Sequence, residues 1–159
     1  MVNSRPLSKN PSFDDYPGSL QPGNTGGGTR VQDVGAALPR PLVSVVTIVR
    51  NGFKTLPRTL DSVFSQDFPE IEYIVVDGQS TDGTLDVVQQ NQNRIALWIS
   101  EPDLGISDAF NKGIALSRGE IVALLNSDDW YEPGAIRAVV AEMRRTGADI
   151  ACEIGRAHV

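Results

Sequence analysis

The chain has 159 residues, 40% hydrophobic and 21% charged, with a formal net charge of -6. That suffices for one globular domain with a real core and is too little for two ordinary ones. The acidic balance excludes a general nucleic-acid binder, whose footprint is a basic stripe, and leaves anion binding to a metal ion or to helix N-termini. Apolar runs such as LVSVVTIV from Leu42 stop short of the roughly 18 residues that a membrane-spanning helix needs. The N-terminus has no apolar signal core and the lone Cys152 excludes an intramolecular disulfide, so a reducing, cytoplasmic setting is expected.

Residues 1–40 are rich in Pro, Gly, Ser and Asn without a sustained apolar period, and read as a disordered extension. Its glycine run, NTGGGTR from Asn24 to Arg30, follows no strand and precedes no Lys-Ser/Thr pair, so it is read as linker rather than phosphate loop. From about Pro41 to Cys152 short apolar runs alternate with helical patterns, the signature of an α/β fold with a largely parallel sheet. Strands are expected at Val43–Val49, Ile71–Val76, Ala96–Ser100 and Ile121–Leu125, with a fifth beginning at Asp149–Cys152. Leu56, Leu60, Val63 and Phe64 recur at helical spacing, as do Ile106, Phe110, Gly113 and Ile114, and again Ile136, Val139, Val140 and Met143. Ser107 and Gly119 are the expected caps of the second of these helices, and Pro133 is placed in the first turn of the third.

Ligands of open α/β sheets bind at the carboxyl ends of strands, where this chain places Asp77, then Glu101 and Asp103, then Asp128 and Asp129. In a parallel sheet these carboxylates converge, and a hard, oxygen-ligated cation such as Mg²⁺ or Mn²⁺ would relieve their repulsion and leave sites for phosphate. Two plainer readings stand beside this. Asp129 with Glu132 fits a helix capping box, and Asp82 in TDGT fits a turn. Trp98 and Trp130 are read as packing residues. Periodicity alone therefore reaches an α/β domain with an acidic rim suited to a metal and a phosphate.

Taken together, PLVSVVTIVRNG, DSVFSQDFPEIEYIVVDGQSTDGT, ISEPDLGISDAFNKGIALSRGE and IVALLNSDDW resemble the N-terminal half of family 2 glycosyltransferases, in order and spacing, over about Pro41 to Asp149. The resemblance implies the GT-A (Rossmann-like) fold with a largely parallel central sheet, incomplete at the C-terminus. It implies that Asp77 accepts a hydrogen bond from the donor's nucleobase, usually uracil, that the backbone from Thr47 through Arg50 to Asn51 lines the nucleoside pocket, and that Asp128 and Asp129 form the metal motif holding Mn²⁺ or Mg²⁺ against the diphosphate. Asp108 and Lys112 are the further candidates for sugar or phosphate contacts. The implied reaction is inverting transfer of a sugar from a nucleotide-diphosphate donor, UDP being the expected one, to a saccharide or lipid-linked acceptor in cell-surface polysaccharide or glycolipid synthesis, with peripheral membrane association through regions outside this chain. The carboxylate general base, worth ~10²–10⁴ in rate, is expected beyond residue 152, so residues 41–152 alone are expected to bind rather than to catalyse. The chain departs from the family pattern at Phe110, where many such enzymes carry Arg, and at Gly78, where a second Asp often follows the first.

Residues 153–159, EIGRAHV, match a reading frame of a common short-read sequencing adapter (AG ATC GGA AGA GCA CAC GTC, with GAG for Glu153). The natural sequence is expected to part from this one near Cys152, and the only histidine, His158, is assigned no role. The alternative from another class is a non-catalytic nucleotide-binding α/β module. A receiver domain is disfavoured because RNG, not an acid pair, follows the first strand, and a Rossmann dehydrogenase because G-x-G-x-x-G is missing there.

Overall fold

The computed structural model describes residues 24–32 and 41–152. In chain order the elements are β1 (Thr25–Gly27), α1 (Thr29–Gln32), β2 (Val43–Val49), α2 (Leu56–Phe64), β3 (Ile71–Asp77), α3 (Thr84–Gln90), β4 (Leu97–Ser100), α4 (Ile106–Leu116), β5 (Ile121–Asn126) and α5 (Ala135–Thr146). They form one five-stranded sheet in the order β1-β4-β3-β2-β5. Every pairing is parallel except β1 with β4.

The central position of β2 explains its composition. VSVVTIV is covered on both faces and buried throughout, as expected of a strand inside a parallel sheet, where an apolar run replaces alternation. One face carries Val43, Val45 and Val49 into a cluster with Leu56, Leu60 and Val63 of α2, Val88 of α3, and Ile136 and Val140 of α5. The other face carries Val46 and Ile48 against Ala109 and Leu116 of α4. Gly113 is where α4 crosses β2, since the space its Cβ would take is filled by Val46 Cγ1. Among the described residues no helix is long and apolar enough to cross a membrane.

Four expectations are corrected. The glycine run is not linker over residues 24–32: Thr25–Gly27 pair antiparallel with Trp98–Ser100. Its glycines are steric requirements there, because a Cβ on Gly27 would lie 2.8–3.0 Å from three atoms of the Trp98 indole, and Gly28 has φ +113° against the Ala96 carbonyl. Asp149–Cys152 forms no strand. Helix α4 starts after Gly105 rather than at Ser107 and ends at Ser117, two residues before Gly119. Helix α5 starts after Gly134 (φ 79°), so Pro133 lies outside it and Asp129 with Glu132 makes no capping box. Helix α3, with only Leu85, Val87 and Val88 as apolar residues in seven, is too short to show a period. Residues 1–23, 33–40 and 153–159 lie outside the described residues.

A polar network ties the N-terminal segment to the opposite end of the sheet from the acidic rim. Glu72, 3% exposed, accepts from Ser44 Oγ (2.7 Å), from the Arg118 amide (2.6 Å) and Nε (3.1 Å), and from Arg30 Nη1 (3.3 Å). Arg30 Nη1 also reaches the Leu116 carbonyl at 2.9 Å. Burial lowers the Arg30 pKa against the opposing pull of Glu72.

Candidate functional site

The parallel register brings the strand ends to one rim. Val49 is level with Asp77, Asp77 with Ser100, and Ile48 with Asn126. Residues 50–52, 77–80, 101–105 and 127–129 therefore emerge on one rim, as the parallel register requires.

The first two loops are stitched together. Asn51, held at φ 54°, donates its amide to Ser80 Oγ (2.8 Å) and accepts the Thr81 amide on Oδ1 (2.9 Å). The Gly52 amide donates to Thr84 Oγ1 (2.9 Å) and the Phe53 amide to Asp82 Oδ2 (3.1 Å). Asp82 also accepts from the Thr84 hydroxyl and amide, and the hydroxyl above all holds its carboxyl below the usual range. Arg50 is exposed at the rim.

The side chains of Asp77 and Thr47 are both buried. Asp77 is 0% exposed. Its Oδ1 accepts Ser80 Oγ at 2.5 Å, and its Oδ2 accepts Ser100 Oγ at 2.6 Å and the Ser80 amide at 3.1 Å. The carboxylate is thus closed inside by hydroxyls from its own loop and from β4. Thr47 is also 0% exposed and shares a 3.0 Å hydrogen bond with the Tyr73 hydroxyl inside the core. Burial pushes that phenol well above its usual range.

At the third strand end Glu101, 5% exposed, accepts Asn24 Nδ2 at 3.0 Å and Lys112 Nζ at 2.9 Å. Lys112 also pairs with Asp108 (3.2 Å) and donates to the Pro102 carbonyl (2.6 Å). An ammonium has three protons, so these three oxygens engage them all. Burial works against the charge of Lys112, but Glu101 and Asp108 outweigh it and raise its pKa. Asp108 accepts the Leu104 amide at 3.0 Å, and that bond, then Lys112, lowers its pKa. Both residues therefore brace the loop from Pro102 to Gly105.

Asp128 and Asp129 are exposed where β5 ends. Thr59 of α2 anchors that turn, its hydroxyl 2.9 Å from the Ser127 carbonyl and 2.7 Å from that of Asp129. Asp129 Oδ2 accepts Asn126 Nδ2 at 3.2 Å, while Asp128 has no hydrogen bond or ion pair among the described residues. Two adjacent hard-oxygen donors fit Mg²⁺ or Mn²⁺, which keep most positions for water and substrate phosphate. No group of three or more His, Cys, Asp or Glu able to hold a metal occurs among the described residues, so a cage made by protein alone is not what they build. Beside the pair, the Arg58 guanidinium lies 3.2 Å from the Trp130 ring centroid.

Sequence reasoning missed Ser80, Ser100, Thr59 and Asn24. Ser80 lies in QSTDGT, whose composition marks a turn, whereas Asn24, Thr59 and Ser100 act on partners 77, 68–70 and 23 residues away and leave no local signal.

The family model described as "Glycosyl transferase family 2" matches residues 44–158. The putative teichuronic acid biosynthesis glycosyltransferase TuaG of Bacillus subtilis is 41% identical over 96 residues, 58% of this chain and 38% of that protein. Chondroitin synthase of Escherichia coli is 34% identical over 108 residues, 66% of this chain and 16% of that protein. Among solved structures, S. aureus TarS 1–349 in complex with UDP-GlcNAc superposes with TM-score 0.62 at 28% identity, over 67% of this chain and 32% of that one. The mannosyltransferase PcManGT from Pyrobaculum calidifontis, in complex with GDP-Man and Mn²⁺, gives 0.58 at 27%, over 65% and 32%. The chain thus spans well under half the length of these proteins.

Proposed function

Since this chain belongs to glycosyl transferase family 2 and has the α/β architecture of its GT-A neighbours, we propose that it is the nucleotide-sugar-binding half of an enzyme that transfers a sugar, with inversion, from a UDP-sugar to an acceptor hydroxyl. The observation that carries this reading is the exposed Asp128–Asp129 pair at the end of β5, on the rim that also holds Arg50 and Asp103. When bound there, Mn²⁺ or Mg²⁺ supplies Lewis-acid stabilisation of the leaving diphosphate. Thr59 holds the turn that presents the two carboxylates, so their geometry is set before the ligand arrives. Arg50, exposed on the same rim, is the guanidinium assigned to the nucleotide on this reading. Asp77 is a positioning residue: through Ser80 it shapes the loop that Asn51 joins to the end of β2.

The acceptor site and the general base belong, on this reading, to the part of the enzyme that the longer relatives have and the described residues do not. The names of the relatives, a teichuronic acid transferase and a chondroitin synthase, support a cell-surface polysaccharide as product. Titration calorimetry of the chain with UDP, with and without Mn²⁺, tests the proposal. Binding that needs Mn²⁺ and falls by at least about tenfold in Asp128→Asn and in Asp129→Asn, at unchanged melting temperature, supports it, as each change removes a charged donor. Equal affinity in the wild type and both variants refutes the metal assignment.

A further inference from the structure

We propose that Asn24 is a positioning residue for the nucleotide site, and that residues 24–32 form a clasp through which the N-terminal segment sets the β4–α4 loop. The inference rests on the nucleotide-sugar reading above and adds to it an element that precedes residues 44–158, the stretch matched by the family model.

The clasp runs the length of β4. At the far end of the sheet the Thr29 amide donates to the Ile95 carbonyl (3.0 Å) and the Arg30 amide to that of Ala96 (2.9 Å). The Arg30 guanidinium fixes the same end to the Leu116 carbonyl and to Glu72. Traced back towards the rim, Gly27 lies opposite Trp98, Gly26 opposite Ile99 and Thr25 opposite Ser100. The next residue, Asn24, therefore arrives where β4 ends and its loop begins.

Glu101 is where the clasp meets that loop. Its carboxylate, 5% exposed, accepts Asn24 Nδ2 on Oε2 at 3.0 Å and Lys112 Nζ on Oε1 at 2.9 Å. Lys112 carries the tie on to the Pro102 carbonyl and to Asp108, and Asp108 carries it to the Leu104 amide. An unbroken series of polar contacts thus joins the N-terminal segment to the loop on the rim. A buried carboxylate is held by its donors. Without the Asn24 amide Glu101 is held less firmly, and with it the ammonium that fixes the loop. A ligand must then order the loop as it binds, which lowers its affinity.

The test uses the full chain in four forms: wild type, Asn24→Asp, Glu101→Gln, and the two changes together. Asn24→Asp keeps the shape of the side chain and sets an acceptor against an acceptor. Two quantities are read: hydrogen exchange of the Leu104 and Gly105 amides without ligand, and UDP affinity with Mn²⁺ by titration calorimetry. Asn24→Asp is expected to speed the exchange and to weaken UDP binding, each by about tenfold, the scale of a hydrogen bond to a charged group. Exchange along Leu97–Ser100 should stay as in the wild type, showing that β1 remains docked. Once Glu101→Gln is in place, Asn24→Asp should cost little further affinity, because the new amide donates to the new carboxylate. An effect of Asn24→Asp that is equal in both backgrounds, or loop exchange and UDP affinity unchanged in Asn24→Asp, overturns the inference and leaves the nucleotide reading intact. Failure of the wild type to bind UDP overturns that reading and this inference with it.

Discussion

Replacing Glu72 with Gln keeps the volume of the side chain and removes its charge. The carboxylate is 3% exposed and faces two guanidinium groups, Arg30 (7% exposed) and Arg118 (19% exposed), at 3.3 and 3.1 Å. Breaking a buried pair by neutralising one partner costs about 3–5 kcal/mol, since the remaining charge stays desolvated while losing that partner's attraction. Water reaches Arg118, and Gln retains one oxygen for the Ser44 hydroxyl or the Arg118 amide, so the lower end applies, about 3 kcal/mol. Urea unfolding followed by far-ultraviolet circular dichroism should show this loss at unchanged m, and the melting temperature should fall by roughly 10 °C for a domain of this size. A double-mutant cycle with Arg30→Ala isolates the part carried by the N-terminal segment: the cost of Arg30→Ala should shrink once Glu72→Gln is already in place. A cost for Glu72→Gln under about 1 kcal/mol, the range of exposed ion pairs, would show that the network is hydrated and refute the argument.

Gly27→Val places a branched side chain where the Trp98 indole lies within 3.0 Å of the new Cβ; overpacking of this kind costs about 1–3 kcal/mol. Because β1 is an edge strand, detachment is the expected response, read as a red shift in Trp98 emission and faster amide exchange along Leu97–Ser100; unchanged exchange would show that β1 is not docked there. The pKa values of Asp82 and Asp108 are lowered on folding, so the native state binds fewer protons than the unfolded chain as pH approaches the carboxylate range. Their stabilisation is therefore present above about pH 4 and lost as pH falls through the lowered values. Lys112 is shifted the other way, and its contribution holds below about pH 10.4 and disappears as pH rises through the raised value. Urea midpoints measured across pH should show both limbs, and Asp108→Asn should flatten each of them; a profile identical to wild type would remove these groups as the cause.

Much of the architecture was legible without coordinates. The strands at 43–49, 71–77, 97–100 and 121–126 are short apolar runs bounded by polar turns, and the first three, buried on both faces, need no partner's identity to be recognised. The helices at 56–64, 106–116 and 135–146 carry enough residues for a period to show. What failed to show was whatever depended on a distant partner. NTGGGTR has the composition of a linker, and it becomes a strand because the outer edge of β4 is open and the Trp98 ring leaves room for glycine alone. The fifth apolar run, at Asp149–Cys152, had a strand's composition and found no neighbour to pair with among the described residues.

The same division runs through the candidate site. Its location was determined by the sequence, because parallel strands must end on one side and acids follow three of them. Which acid is open was decided only in three dimensions. Asp77 and Asp103 are alike as residues at strand ends. Ser100, 23 positions along the chain, closes over the first, and the absent side chain of Gly78 makes room for the second. A carboxylate's availability depends on the donors packed around it, and those donors come from other elements of the fold, where sequence spacing carries no record of them.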